Sequence, residues 1–542
     1  MQRPASLRVT WVVLAGAAAA CGGGSTPAPA PTPNQGWWRD RVVYEIFVRS
    51  FADSDGDGVG DLKGLTAHLD DLNDGNPATS TDLGVNAIWL MPIFPSPSYH
   101  GYDFSDYRAV NPNYGTLADL DALLAAAHQR GIKVILDMVL NHSSSAHPWF
   151  VDSRQGTGAA RRDWYVWNAT DPGWQSPLGG GPPWRASGGA WYYAPFSQGM
   201  PDLNLGNAAV EQELVDTMRF WLARGVDGFR LDAVRYFFAS GPQGYEQRDQ
   251  PASHDFLKRI RAALQRDYPD VLLAAEAWAS QDTVATYYGQ GDEVQLAFAF
   301  DQAAATKSSV AAGVSDALVN SLAITESTLA GKDRGFDAPF LSNHDQVRVA
   351  RTLGGDAGAL RVAAATLVAL PGTPFLYYGE EIGMQGGAGT PDQDKRTPIR
   401  WTATPPGYGF TSGSTTWYGA TSEAAGVDVA TQRADASSLW NLYRRLIALR
   451  RSTAPLTAGD AVRPLVTGAG PGVLAIVRSA SGKRVVFLAN FAAAATGPLA
   501  VEVAGVPSVL LAEGLAGAPS VAGGKLSIPG LAPRAFAFFQ MD

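Results

Sequence analysis

Cysteine is almost absent: Cys21 is the only one among 542 residues, so no disulfide can form within the chain. Stability must therefore come from a packed core and from any bound ion. Basic clusters are missing too. The formal charge is −9 and no Lys/Arg run interrupts it, which excludes an electrostatic footprint for nucleic acid. No apolar run is long enough for a membrane-crossing helix. The longest candidate, "VTWVVLAGAAAA", has 12 residues, where about 20 are needed. Charge is sparse at 17%, while 15 Trp, 18 Tyr and 22 Phe contribute to a hydrophobic fraction of 46%. That composition suits a large core shared by two or three domains, and 59 Gly with 35 Pro imply many loops.

The first residues read as targeting rather than fold. "MQRPASLR" supplies Arg3 and Arg8, the short apolar run follows, and "AAAAC" ends in Cys21. This order resembles a bacterial lipoprotein signal. The resemblance implies removal of residues 1–20, lipidation of Cys21 and a flexible Pro/Ala/Thr tether over residues 21–36. It places the protein at the cell envelope or cell surface, with unanchored secretion as the other route, and makes the lipid its only membrane contact.

From about residue 40 the chain alternates apolar strands with amphipathic helices. Thr116 is a candidate N-cap with Asp119 at the third helical position. Leu117, Leu120, Leu124 and Ala127 then recur at helical spacing, and Gly131 stops the helix before the buried strand "IKVILDMVL". The same grammar joins "ELVDTMRFWLARG" to "VDGFRLD", and "DFLKRIRAALQRDYPD" to "VLLAAEAW". Eight strands are predicted: "VVYEIFV", "VNAIWLM", "KVILDMV", "DGFRLD", "LLAAEAW", "VQLAFAF", "APFLSN" and "TPFLYYG". Parallel βαβ units in that number predict an α/β fold, a (β/α)₈ TIM barrel over residues 37–142 and 206–454. Residues 143–205 show only loops and read as a subdomain inserted after the third strand. Its Trp149, Trp164, Trp167, Trp174, Trp184 and Trp191 are expected to fill a small core. Residues 455–542 carry short strands such as "KRVVFLANF" and read as a C-terminal antiparallel β-sandwich.

In such barrels functional side chains sit at the C-terminal ends of strands. There the third strand brings Asp137, Asn141 and His142, the fourth Arg230 and Asp232, the fifth Glu276, and the seventh Asn343, His344 and Asp345. Residues i and i+2 of a strand face one side, so Arg230 lies beside Asp232 and favours its charged, nucleophilic form. Glu276 lies in the apolar "LLAAEAW", which should keep it protonated as a general acid. One ionised and one protonated carboxyl describe a retaining glycosidase, with the pair about 5–5.5 Å apart.

"DMVLNH", "GFRLDAVRY", "AAEAW" and "LSNHD", in this order, resemble the α-amylase family of glycoside hydrolases. So do "GVNAIWLMPI", "YHGYDFSDY", "MPDLN" and "GTPFLYYGEE". The resemblance implies Asp232 as nucleophile, Glu276 as acid/base and Asp345 as the carboxylate that holds and distorts the reacting sugar. It implies that His142, His344 and Arg230 surround that sugar with Tyr102 stacked beneath it, and His100 is taken with them as substrate-binding. Ala233 after the nucleophile, where 1,6-specific relatives carry Val, and "MPDLN", where they carry "QPDLN", favour α-1,4 bonds of starch and maltooligosaccharides. They point to the group between oligo-1,6-glucosidases and neopullulanases. An α-glucosidase, a cyclomaltodextrinase-like enzyme or a transglycosylase on the same scaffold is the alternative reading. A sugar-capturing lipoprotein without catalysis is a third, from a different class.

"DSDGDGVGD" sets Asp53, Asp55, Asp57 and Asp61 at alternating positions with the Val59 carbonyl between them, hard oxygen ligands that suit structural Ca²⁺. An EF-hand would need Glu where Gly64 stands. The loop instead resembles the metal-binding loop after the first strand of oligo-1,6-glucosidase relatives.

Overall fold

The computed structural model describes residues 36–330, 336–419, 423–463 and 466–542; the signal, Cys21 and the tether up to residue 35 lie outside the described residues. One parallel eight-stranded sheet forms the barrel: β1 (Val43–Ile46), β2 (Ala87–Leu90), β3 (Lys133–Met138), β4 (Gly228–Leu231), β5 (Leu272–Ala275), β6 (Leu296–Phe298), β7 (Phe336–Ala338) and β8 (Phe375–Tyr377). β8 pairs with β1, and the ring is completed by a bridge between Phe340 and Phe375 and by Phe375 N–H donating to the Pro339 carbonyl at 2.9 Å.

The strands are continuous apolar runs because both of their faces are covered. Ala87, Trp89, Ile135, Leu272, Ala274, Leu296, Phe298 and Phe375 fill the interior. Ile88, Leu90, Val134, Leu136, Phe229, Leu231 and Leu273 pack outward under the helices. The alternation is the strand period of two. Trp38 joins the interior cluster, and its carbonyl accepts from Thr373 Oγ1 at 2.9 Å just before β8.

The helix expected after β2 spans Leu117–Gln129 with the full capping box of Thr116 and Asp119. Gly131 follows it with φ +72°, a left-handed turn that suits glycine. Two expectations need correction. The seventh strand was expected to open at Ala338, but it spans Phe336–Ala338 and ends there. Pro339 has no N–H to continue the ladder, so the chain leaves the sheet and "LSNHD" becomes a loop over the mouth. The insert also contains more than loops. It has a helix, Pro148–Ser153, and a three-stranded antiparallel sheet of Trp167–Asn168, Trp184–Ser187 and Ala190–Tyr193. These strands are too short to show a period, but Gly188–Gly189, both with positive φ, form the two-residue hairpin turn that signals the last pair. Three of the six tryptophans pack against the core, Trp149, Trp164 and Trp167, with Trp167 flat on Phe150 at 5.8 Å and Trp149 on Tyr107 at 5.2 Å. Trp184 is buried against Trp174 and Tyr193, and Trp191 is half-buried.

The C-terminal region holds a five-stranded and a four-stranded antiparallel sheet. Val486, Leu488, Ala537 and Phe539 of the larger sheet face Leu499, Val501, Leu526 and Ile528 of the smaller one. The alternate residues Val485, Phe487, Phe536 and Phe538 instead enter the core that surrounds the barrel. Two fully buried arginines fasten this junction. Arg450, on the last long helix (Leu439–Ser452), donates to the Val368 carbonyl at 2.7 Å. Arg478, on the larger sheet, donates to the carbonyls of Ala369 and Leu370 at 3.0 and 2.8 Å. Both thereby satisfy the C-terminal carbonyls of the helix Ala357–Ala369, where the helix dipole favours a cation.

Candidate active site

Arg230 lies fully buried one residue before the end of β4, with Asp137 of β3 directly across the ladder. Its guanidinium reaches three carboxylates. Nη1 lies 2.6 Å from Asp232 Oδ1 and 2.9 Å from Asp137 Oδ1, and Nη2 lies 3.4 Å from Glu276 Oε2. The rings of Trp89 and Tyr102 lie 5.3 and 5.6 Å from it. Arg230 was expected to serve Asp232; the structure assigns it Asp137 and Glu276 as well. A buried guanidinium is costly to desolvate, and only close acceptors offset that cost.

Glu276 emerges from β5 beside Asp232. Its Oε2 accepts the backbone N–H of Ala233 at 2.8 Å. Ala233 holds φ +51°, a left-handed conformation that costs a non-glycine residue roughly 1–2 kcal/mol and turns its N–H toward this carboxyl. Burial raises Glu276 to about 7; the charges of Asp232 and Asp345 add to the rise and Arg230 opposes it. Burial likewise raises Asp137 to about 6 against the pull of Arg230.

Asp345 behaves in the opposite way. Burial would raise it, but His344, Arg396 and Arg230 together hold it well below the usual carboxylate range. Arg396 Nη2 lies 2.9 Å from Asp345 Oδ1 and His344 Nε2 3.1 Å from Oδ2. Arg396 Nε also donates to the His344 carbonyl at 2.9 Å, so one side chain fixes both residues of the loop. On the other side of the ring, His344 Nδ1 lies 2.6 Å from Glu45 Oε1. Tyr102 stacks on the His344 ring at 5.5 Å and donates its hydroxyl to Asp137 Oδ2 at 2.9 Å. His142 Nε2 lies 3.2 Å from the Tyr102 carbonyl, and His100 Nδ1 accepts the Tyr102 N–H at 3.1 Å. Burial depresses both histidines and favours their neutral form. Asp232, Glu276, Asp345, Arg230, Tyr102, His100, His142 and His344 are thus tied to one another at one mouth.

Glu45 and Arg396 were missed. Glu45 is a charged residue inside the apolar "VVYEIFV", the same signal that singled out Arg230 and Asp232. Arg396 stands in the polar loop "DQDKRT", where no pattern separates it from surface charge.

The acidic loop lies apart from these residues. One oxygen from each of Asp53, Asp55 and Asp61 lies within 4.8 Å of the others; Asp57 falls outside this group, its Oδ1 accepting the Val59 N–H at 2.7 Å. Backbone N–H groups of Asp55, Gly56 and Gly58 pin Asp53, and Asp61 caps the helix Leu62–Ala67 through Gly64. No Lys or Arg forms an ion pair with these acids among the described residues, so their donor set and uncompensated charge fit a hard divalent cation. At the barrel–insert boundary, by contrast, Asn141 Nδ2 donates directly to buried Asp202 at 3.0 Å, and each side chain serves the other.

Carboxylates gathered around one arginine at the C-terminal mouth of a (β/α)₈ barrel define a glycoside hydrolase. The α-amylase catalytic-domain family matches residues 45–459, and the chain belongs to that family. It is 38% identical over 431 residues to alpha-amylase 3 of Dictyoglomus thermophilum, covering 79% of this chain and 81% of that one. The solved α-amylase of H. orenii superposes with a TM-score of 0.82 at 36% identity, covering 93% of this chain and 99% of that one. An α-glucosyl transfer enzyme, XgtA, superposes with 0.80 at 33% identity, covering 94% and 100%.

Infrared difference spectra of the wild-type protein minus Glu276→Gln should isolate a carboxyl band that titrates near 7, above the background of the other buried acids such as Glu381. A Glu276 band at the ordinary value near 4.3 would mean that water reaches the group freely.

Proposed function

We propose that the protein is an exported α-glucan hydrolase that cleaves α-1,4 bonds of starch and maltooligosaccharides with retention of configuration. The observation that carries this reading is the pairing of Asp232 and Glu276 on one guanidinium, with only Asp232 in a tight charge-assisted bond at 2.6 Å and Glu276 raised to about 7. In this reading Asp232 attacks the anomeric carbon and displaces the leaving glycan, while Glu276 gives its proton to the departing oxygen. The Ala233 N–H occupies Oε2, which leaves Oε1 to carry that proton. Glu276, then ionised, takes a proton from the water that releases the sugar from Asp232. Asp345, already anionic, accepts from sugar hydroxyls, with His344, His142, His100 and Arg230 around the ring and Tyr102 beneath it. Transfer to a second sugar instead of water is the other outcome of the same covalent intermediate, and the likeness to the α-glucosyl transfer enzyme favours keeping it in view.

Ca²⁺ belongs to this reading as a structural ion that Asp53, Asp55 and Asp61 would hold, with Asp57 and the Val59 carbonyl as the further candidate oxygen ligands of the same loop. It would relieve the repulsion among carboxylates that have no basic partner. Export and lipidation of Cys21 rest on the N-terminal sequence, with residues 21–36 as tether.

Asp232→Asn should abolish turnover of maltoheptaose while leaving the fold intact. Chromatography of wild-type products should show short maltooligosaccharides with a net gain of reducing ends; longer products without that gain would make the protein a transferase. Chelation should lower Tm by a few degrees and Ca²⁺ should restore it, since a ligand at about 100 times its Kd adds ~2.7 kcal/mol; the same Tm with and without chelator would remove the ion. Cys21→Ser should move the protein from the detergent phase to the aqueous phase on partition, and an unchanged partition would remove the anchor.

A further inference from the structure

His344 stands between two carboxylates, with Glu45 Oε1 at 2.6 Å from Nδ1 and Asp345 Oδ2 at 3.1 Å from Nε2. A carboxylate oxygen only accepts, so a ring facing one at each nitrogen must donate from both, which the imidazolium alone does. The Tyr102 hydroxyl, 2.7 Å from Nε2, commits its own proton to Asp137, so it too acts as acceptor toward the ring.

Glu45 is placed for no other task. It is buried on β1, between Trp89 of β2 and Tyr377 of β8 in the ladder. Among the described residues its carboxylate hydrogen-bonds only to His344, through the ring and, at 3.4 Å, the backbone N–H. His344 lies between it and Asp345, so Glu45 acts through another residue rather than on the sugar.

We propose that Glu45 is a positioning residue: it holds His344 as a doubly protonated cation directed at Asp345, and so sets the charge that faces Asp345 where it meets the sugar. The role of Asp345 in this statement rests on the function proposed above. The groups facing His344 are Glu45 from β1, Tyr102 from the loop after β2, Asp137 from β3 and Asp345 beside it. Arg396 reaches His344 as well, its Nε donating to the His344 carbonyl at 2.9 Å while Nη2 holds Asp345, and Arg230 lies over the Tyr102 ring and pairs with Asp137. Burial works against the imidazolium, yet Asp345 and Glu45 together raise His344 to about 9. With Glu45 neutral, one of those two charges is gone and the proton leaves at lower pH. Asp345 then loses the cation on its Oδ2.

The test is Glu45→Gln, which removes the charge and, through its amide NH₂, can donate to a bare Nδ1 as a carboxylate cannot. Neutron diffraction of the wild-type protein at pD 7.5 should place deuterons on both nitrogens of His344, and the variant should lose one. In kinetics, wild-type kcat/KM should fall tenfold per pH unit above the Glu276 titration, and the variant should fall a hundredfold per unit once His344 also loses its proton. A purely packing role for Glu45 would lower Tm without steepening this limb. A bare ring nitrogen in the wild-type map overturns the proposal even if the variant does not fold, and so do equal limbs in a folded variant. The diffraction result does not depend on turnover, so an enzyme inactive on α-glucans would sink the proposed function while the map still decides the relay.

Discussion

A guanidinium with no access to water needs close acceptors, and the two Nη groups of Arg230 face three carboxylates from three adjacent strands. The rest of the mouth follows from this constraint. Asp137, Asp232 and Glu276 could not share so small a volume without a central cation, and the cation could not be buried without them. Burial raises two of them against its pull, Asp137 to about 6 and Glu276, the one at 3.4 Å, to about 7.

Two cations with different dependence on pH serve the two sides of the mouth. Arg230 is charged at every accessible pH. His344 owes its charge to its neighbours. Asp345 draws on Arg396 and on His344, and its low titration reflects both. The backbone also contributes, through the left-handed turn at Ala233, a local strain spent on aiming one N–H group.

Much of the fold was legible in the sequence because barrel strands are buried on both faces and interrupted by capped helices. Seven of the eight strands fall inside the segments read from the sequence, and the box at Thr116–Asp119 formed as written. The seventh strand slipped because Phe336 and Asp337 do not extend an apolar run, and Pro339 stops the ladder where the apolar letters continue. The insert hid its sheet because strands of two to four residues carry no period. At the site, the residues with charge inside apolar strands were visible, Glu45 included although it was passed over. Arg396 was not, since a loop residue is brought to Asp345 only by the closed barrel.

The paired arginines at the C-terminal junction bear on how such a chain can be recombined. The secondary-structure change near residue 455 invites a crossover there between related sequences. Arg450 lies before that point and Arg478 after it, yet both end the same helix. A chimera joined there would inherit one half of the helix stop from each parent, and the two halves would have to agree in reach and in the carbonyls they address. The sandwich is therefore a hereditary companion of the barrel, and shuffling would succeed only where the helix, Arg450 and Arg478 travel together.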